Sequence, residues 1–576
     1  MTYCYLFEAR SIQHYLFRTG KLRDVVAASE RLDRLIDSSE HSVLYQVLQA
    51  TQLRHDLLPE HPDPDPQVRF FRCKGGAFYA SSDDEETLQT LRDSWTLTFA
   101  QLYPGLEYCD ALAQGESVAH AKQAALYLLA QARNFQPASL PVATTLCARA
   151  QRTGSLAVKL RHEELVDLPS WYNEQAYNHW DLRDKDGALQ ARFKPTGELL
   201  DTKLVEKIAF PLDLESEFPL TPRATADDPE SERELHMDIA LLHIDGNGMG
   251  QVLQDLDKAL SDADDGVYCS AFRDFSEAMA IATQQAAQQA TLWLTRRVLS
   301  EQAENSELTE LLLPMRPLVL GGDDVTLLCR ADLALEYTAQ FCAAFEQTSR
   351  VALKPTYEVI KAANAESTFS GKLTASAGVL IQKVKHPFTH SHEMTEQLCK
   401  QAKALTKQAN GTAALAFVQV SNTVSDGLDT FRARHLSCTV GEDVLHTSLG
   451  AYLLSEYGSY PTLKALNALF DLLAQECTPM TLSKWREVLT YLGMGDLAEV
   501  QRVIYRDFAL NGDKAQQQKL AQAFAQLSAR DKEPQESWHW QGEHGWVTPL
   551  SDLMVLEKLN RLSVKSVLAK QQPEVS

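Results

Sequence analysis

The chain has 576 residues, 44% hydrophobic and 23% charged, with a formal net charge of −22. That length exceeds what one core can organise and predicts three or four domains of an ordinary soluble globular kind. The acidic balance excludes a broadly basic surface for unaided binding of RNA or DNA, because phosphate neutralisation drives such affinity. No stretch of about 18 apolar residues could span a bilayer. No N-terminal segment shows a basic start, an apolar core and a small-residue cleavage site, so a cytoplasmic location with no membrane partner is expected. The ten cysteines are scattered and never form CxxC, which argues against a disulfide framework or a zinc knuckle.

Residues 3–9, YCYLFEA, predict a strand, and SIQHYLFRTGKLRDVVAASERLDRLI a helical stretch interrupted at Gly20. LPEHPDPDPQ, at 58–67, is a proline and acid loop. VRFFRCKGGAFYAS then reads as strand–Gly-Gly–strand, followed by a helix near EETLQTLRDSWTLTFAQLY, a strand GLEYCDALA and a helix VAHAKQAALYLLAQARNF. This β-α-β-β-α-β order is ferredoxin-like, the arrangement of palm domains. Residues 136–235 are expected to be irregular, closing on the linker-like TPRATADDPESERE. From residue 237 the order returns. MDIALLHID predicts a buried central strand, and a long helical region covers about 267–305. The hairpin LVLGGDDVTLLC follows, then a helix DLALEYTAQFCAAFEQ, a strand LTASAGVLIQKV and a helix EMTEQLCKQAKALTKQ.

Beyond about residue 425, SLGAYLLSEY, TLKALNALFDLLAQ, LSKWREVLTYLG and KAQQQKLAQAFAQL all predict helices. SWHWQGEHGW among them lacks ligand-like spacing and reads as packing or surface. The expected fold class is therefore α+β. Two ferredoxin-like palms, the first degenerate (1–135) and the second catalytic (236–424), flank a linker or insert (136–235), and an α-helical domain (425–576) ends the chain.

The chemistry gathers in the second palm. Gly321 and Gly322 are expected to supply the unusual dihedrals of a tight hairpin. Asp323 and Asp324 repel one another, and a divalent cation neutralising both explains the pair, although a lone GGDD is also compatible with an ordinary polar turn. The first strand of such a sheet lies beside the central hairpin, so Asp245 can meet the pair. Three converging carboxylates suit two Mg²⁺ or Mn²⁺ ions about 3.5–4 Å apart, holding a nucleoside triphosphate for attack on its α-phosphate. Gly246, Asn247, Gly248, Met249 and Gly250 open a helix and can present backbone N–H groups to phosphates. Lys400, Lys403 and Lys407 share one helical face, and Lys403 is the one expected to reach a triphosphate. In the first unit Ala77 and Phe78 follow the glycine pair, cannot bind metal, and predict an inactive copy. His386, His390 and His392 are expected in a polar loop preceding a helix.

The opening ARSIQHYLFRTGKLRDVVAAS, with its IQ…KLRD…AS pattern, joins HIDGNGMG, LGGDD, ASAGV and Ala402-Lys403 in a recognisable series. In order and motifs the chain resembles the large palm-domain subunit of type III CRISPR–Cas effector complexes (Cmr/Csm type), a distant relative of the GGDEF diguanylate cyclases. The resemblance covers most of the chain. It implies a second palm that polymerises ATP into cyclic oligoadenylate messengers in antiviral defence, with Asp245, Asp323 and Asp324 as Mg²⁺ or Mn²⁺ ligands and Asn247 and Ser376 shaping the site. It also implies partner proteins of an effector complex and, through them, guide or target RNA.

The departures narrow that reading. The family often begins with an HD nuclease domain, for which a strand starting at residue 3 leaves no room, and the RHD at 54–56 reads as coincidence. Only Cys147 stands where a zinc-binding insert is expected. Val325 in place of phenylalanine, and the lack of RxxD in LPMRPLVL, argue against a diguanylate cyclase. A glycine loop after Asp245 argues against a viral-type RNA polymerase, which needs a second acid there. The alternative from another class is a non-catalytic scaffold or sensor subunit of an RNA-guided defence complex.

Overall fold

The computed structural model describes residues 1–135, 143–161, 163–180, 188–211, 238–301, 310–384, 386, 388–421, 427–440, 443–475, 480–510, 513–528, 538–542 and 545–562. The expected linker TPRATADDPESERE lies outside them. The N-terminal unit runs β1 (Thr2–Arg10), α1 (Ile12–Phe17), α2 (Leu22–Asp33), α3 (Val43–Thr51), β2 (Arg69–Lys74), β3 (Ala77–Ser82), α4 (Glu85–Leu102), β4 (Glu107–Gly115) and α5 (Val118–Ala132). Its sheet has the order β2-β3-β1-β4. Gly20, at φ 66°, separates α1 from α2, where the helical pattern breaks. Strand alternation sends Tyr5 and Phe7 to one face, against Phe78, Trp95 and Phe99, and Cys4 and Leu6 to the other.

The stretch expected to be irregular contains regular structure. β5 (Ala157–Arg161) and β6 (Glu164–Asp167) form a hairpin, followed by α6 (Leu168–His179), α7 (Ala188–Phe193), α8 (Thr202–Lys207) and the short β7 (Ile208–Ala209). Asp167 caps α6 by accepting from the Ser170 backbone N–H, and its other oxygen pairs with Arg18 at 2.9 Å. Asp-Leu-Pro was a legible start signal, but elements this short carry little periodicity.

The second unit comprises β8 (Asp238–Asn247), α9 (Met249–Ala259), α10 (Asp265–Glu301), β9 (Leu311–Leu312), β10 (Met315–Gly321), β11 (Asp324–Arg330), α11 (Ala331–Ala352), α12 (Lys354–Ala363), β12 (Thr374–Lys383), α13 (Phe388–Gln408) and β13 (Ala414–Gln419). Its sheet begins β10-β11-β8-β12, the same relative order as the N-terminal unit, and continues through β13. β8 is central and buried on both faces. Ile239 and Leu241 join Phe7, Phe78 and Trp95 of the N-terminal unit in one core, while Ala240, Leu242 and Ile244 pack in another with α10. The two units thus share apolar interior rather than a wetted seam. His390 and His392 do not lie in a loop: α13 starts at Phe388, and His392 is buried within it, with Phe17 stacked on its ring.

The C-terminal part departs from an all-helical reading. It has α14 (Leu428–His435), β14 (Ser437–Val440), β15 (Asp443–His446), β16 (Tyr452–Leu453), α15 (Leu463–Leu473), α16 (Leu482–Met494), α17 (Leu497–Ile504), a π-helical turn (Tyr505–Leu510), α18 (Lys514–Ala525), β17 (Trp540–Gly542), β18 (Gly545–Val547) and α19 (Leu550–Leu562). SLGAYLLSEY is not a helix. Gly450 turns the chain at φ 82° and Tyr452–Leu453 pairs with β13, so a short apolar run is used as an edge strand. A four-stranded sheet, β14-β15-β18-β17, adds to the helices, and Trp538, Trp540 and Trp546 pack against the core. At the far end of β8, Asp238 is 1% exposed and takes Lys383 at 3.1 Å and Lys558 of α19 at 2.9 Å. Among the described residues no helix is long and apolar enough to cross a membrane.

Candidate active site

The register of the second sheet builds the site. Asp245 ends the apolar run of β8 and stands directly opposite Asp324 on β11 and Ser376 on β12. Asp323 occupies the hairpin tip, and its carbonyl accepts the Gly246 N–H at 3.1 Å. The three carboxylates predicted to converge are therefore brought to one end of adjacent strands. Burial, then the charges of Asp245 and Asp324, push the Asp323 carboxyl up to about 7, against the opposing pull of Lys403. Burial acts the same way on Asp324, but His243 and His392 and a hydrogen bond from Gln13 outweigh it and hold that carboxyl below its usual range. His243 is raised in turn, since the Asp324 charge overcomes the effect of burial.

Of the three lysines, Lys400 and Lys407 are exposed and only Lys403 reaches the acids. Its Nζ lies 2.6 Å from Asp245 Oδ2 and donates to the Gly246 carbonyl at 3.0 Å. Ser376 is fully buried beside Asp245. Its hydroxyl donates to Asn247 Oδ1 at 3.0 Å, and Asn247 Nδ2 donates to Thr374 Oγ1 at 3.0 Å, which fixes the amide. Gly248, at φ 80°, begins α9, and Met249 turns toward the cleft below.

A cleft of about 650 Å³ separates the two units and is within the size range of small-ligand sites. Gly75 and Gly76 line one side, with Gly321, Gly322, Asp323 and Asp324 on the other and Met249, Leu253, Phe272 and Phe275 forming an apolar wall. Asp245, Gly246, Asn247, Gly248, Gly250, Ser376 and Lys403 lie behind this lining rather than in it. The turn dihedrals differ from expectation. Gly75 and Gly76 have φ of 65° and 75°, whereas Gly321 and Gly322 are outside the left-handed region. A Cβ at either Gly321 or Gly322 would meet no protein atom within 4 Å, so these glycines keep open space over the acids instead of solving a backbone problem.

The residues fit a divalent cation. Burial first, and then the charges of Asp245 and Asp324, raise the Asp323 carboxyl, so a cation bound there would relieve both. Asp324 Oδ1 has no well-formed hydrogen bond; the His243 ring stands beside it, with Nδ1 at 3.2 Å. Sequence reasoning missed His243 and Cys399, whose ligand atoms gather with that of Asp245 within 4.8 Å. Period-two spacing from Asp245 and helical i, i+4 spacing from Lys403 were the available signals. Gln13 had none, being 311 positions from the Asp324 it contacts.

Two expectations follow. A Cβ on Gly246 would sit 2.8 Å from Asp323 Cβ and 2.9 Å from its Oδ2. Gly246→Ala should therefore displace Asp323 and lower any metal-dependent turnover about 10²-fold, the scale of an ångström-level misplacement, measured at saturating Mn²⁺. Second, the Asp323 carboxyl rises from 3.8 to about 7, so its neutral form is favoured by folding. Its stabilising contribution is full below about pH 4 and is lost as pH rises to about 7. Asp323→Asn, always neutral, should melt above wild type at pH 8 in EDTA and alongside it near pH 4; equal melting at both sinks the assignment.

A family model described as Cas10/Cmr2, second palm domain, matches residues 238–412. No curated protein matches the chain. Similar solved structures include a Csm1–Csm4 cassette in complex with cA4, at 12% identity and a TM-score of 0.43, covering 98% of this chain and 70% of that one. The same cassette in complex with cA3 aligns at 12% identity and 0.42, over 97% and 69%. The Csm1–Csm4 subcomplex of the type III-A CRISPR-Csm interference complex aligns at 12% and 0.43, over 97% and 70%. The segment holding Asp245, Asp323, Asp324 and Lys403 thus matches the second palm domain of the Cas10/Cmr2 family.

Proposed function

We propose that the chain is a metal-dependent nucleotidyltransferase that links ATP into cyclic oligoadenylate-type messengers within a type III CRISPR effector complex. The observation that carries this reading is the convergence of Asp245, Asp323 and Asp324 at the edge of a glycine-flanked cleft between two units of like topology. Asp245, Asp323 and Asp324 would hold Mg²⁺ or Mn²⁺, which when bound supplies Lewis-acid polarisation of the α-phosphate and a lower pKa for the attacking hydroxyl. In the reaction a 3′-hydroxyl oxygen bonds to the α-phosphorus and gives up its proton to water, the bond from the α-phosphorus to the α–β bridging oxygen breaks, and pyrophosphate leaves with that electron pair. The chain's own part is positioning. Gly321 and Gly322 admit the substrate against bare backbone, Asn247 is held rigid by Ser376 and Thr374, and Phe272 and Phe275 keep water from the cleft wall. Lys403 offsets the acidic charge from behind Asp245. The degenerate first palm provides the facing wall, and effector-complex proteins provide the route to guide or target RNA.

One observation favours a scaffold or sensor role instead: Lys403 and Gln13 already engage two of the three carboxylates. The deciding experiment incubates purified protein with each labelled NTP and Mg²⁺ or Mn²⁺, alone and with co-purified partners and RNA, beside Asp323→Ala/Asp324→Ala. Cyclic oligoadenylate from wild type only supports the synthase. Silence of the complete, RNA-loaded assembly favours the scaffold.

A further inference from the structure

Helix α1 belongs to the N-terminal unit, yet it touches the acids of the second. Gln13 Nε2 donates to Asp324 Oδ2 at 2.8 Å. One turn on, at i+4, Phe17 stacks on His392, with ring centroids 4.5 Å apart and planes 21° from parallel. His392 meets His243 edge-on at 5.8 Å and 85°, and His243 Nδ1 lies 3.2 Å from Asp324 Oδ1. One short helix thus addresses both oxygens of one carboxylate, directly through Gln13 and indirectly through two rings.

The Gln13 amide is costly where it sits. Its Oε1 is buried without a hydrogen-bond partner, an arrangement that burial normally selects against. An apolar residue of the same length would fill the space without that penalty. A side chain that keeps one amide atom unsatisfied while the other holds a site carboxylate has its explanation in the site.

We propose that α1 of the N-terminal unit positions Asp324 for metal binding, with Gln13 as the positioning residue and Phe17–His392–His243 as its second arm. This rests on the metal-site reading above and deepens it. The inactive unit then has a task in the active one: it sets the orientation of a ligand that it cannot itself supply, and a shift of α1 relative to the second sheet changes cation affinity.

The test needs no product. Full-length wild type, Gln13→Leu, Gln13→Met and Asp323→Ala are titrated with Mn²⁺ alone, reading free Mn²⁺ by electron paramagnetic resonance, and each is melted in EDTA. We expect both Gln13 variants to bind Mn²⁺ about 10-fold more weakly or worse, the usual scale for loss of a ligand's hydrogen-bond partner. We expect their melting temperatures to be held or raised, because an unsatisfied acceptor has been removed. Wild-type affinity in either Gln13 variant overturns the inference and leaves the metal site standing. A loss of affinity confined to a variant with lowered melting temperature also overturns it, because the helix is then merely damaged. If wild type shows no Mn²⁺ binding that Asp323→Ala removes, the metal-site reading falls and this inference with it.

Discussion

Asp323→Ala is expected to lower nucleotidyl transfer by about 10³-fold and to abolish tight Mn²⁺ binding, because a lost ligand forfeits several kcal/mol of transition-state charge stabilisation at about 1.4 kcal/mol per decade. The carboxylate sits at the hairpin tip, its backbone carbonyl tied to Gly246 and its side chain in the cleft wall. Asp245→Asn should fall nearly as far, since Asp245 and Asp324 are in register on adjacent strands and a cation between them needs both. Lys403→Met belongs to a milder class, a loss of about 10-fold, because Lys403 neutralises from behind and does not line the cleft. Stability should run in the opposite direction, with Asp323→Ala melting higher than wild type in EDTA at pH 8, because a charge penalised by burial and then by its acidic neighbours is removed. Initial rates at saturating ATP and Mn²⁺ check the ranking. A variant lacking Asp323 that retains a tenth of the wild-type rate would remove it from the site.

Gly378→Ala should be the most damaging single methyl in the second sheet. Gly378 lies in the middle of β12 where α13 crosses it, and a Cβ there would be 2.1 Å from the Thr395 carbonyl oxygen and 2.7 Å from the Cys399 N–H nitrogen. Both are backbone atoms of a helix, so no side chain can swing aside. The helix must lift from the sheet, at about 3 kcal/mol or more, the upper end of overpacking costs. At about 2–4 °C per kcal/mol, the melting temperature should drop by roughly 6–12 °C. Activity should fall beyond what stability explains, because α13 also carries His392 and Lys403. Wild-type melting of Gly378→Ala would show that the crossing is looser than described.

Much of this site was legible in the sequence because it depends on strands. The nearly continuous apolar run that ends IALLHID on an acid, and the glycine pair before two acids, survive translation into a sheet with its order unchanged. The paired strand–Gly-Gly–strand elements were legible for the same reason, and both now face one cleft. What escaped is of two physical kinds. Short elements such as β5, β6 and β16 span too few residues for a period to show, and their placement is set by partners from elsewhere in the chain. Long-range side-chain contacts, such as Gln13 with Asp324, leave no local trace at all. The glycine argument was right about place and wrong about cause: Gly75 and Gly76 satisfy dihedrals, while Gly321 and Gly322 provide room.

The central strand β8 carries an acid at each end, and the two live under opposite conditions. Asp238 is sealed in and anchored by two lysines, one of them from α19, whereas Asp245 stands at a solvent-reaching edge beside Lys403. Seven residue steps of extended backbone make a strut of roughly 23 Å between them. Its interior is clamped on both sides by hydrogen-bonded neighbours, so it transmits displacement along its axis instead of absorbing it. Mechanically, the C-terminal helix grips one end of the strand that carries Asp245 near the other, so Lys558 and Asp245 are tied to the same paired backbone.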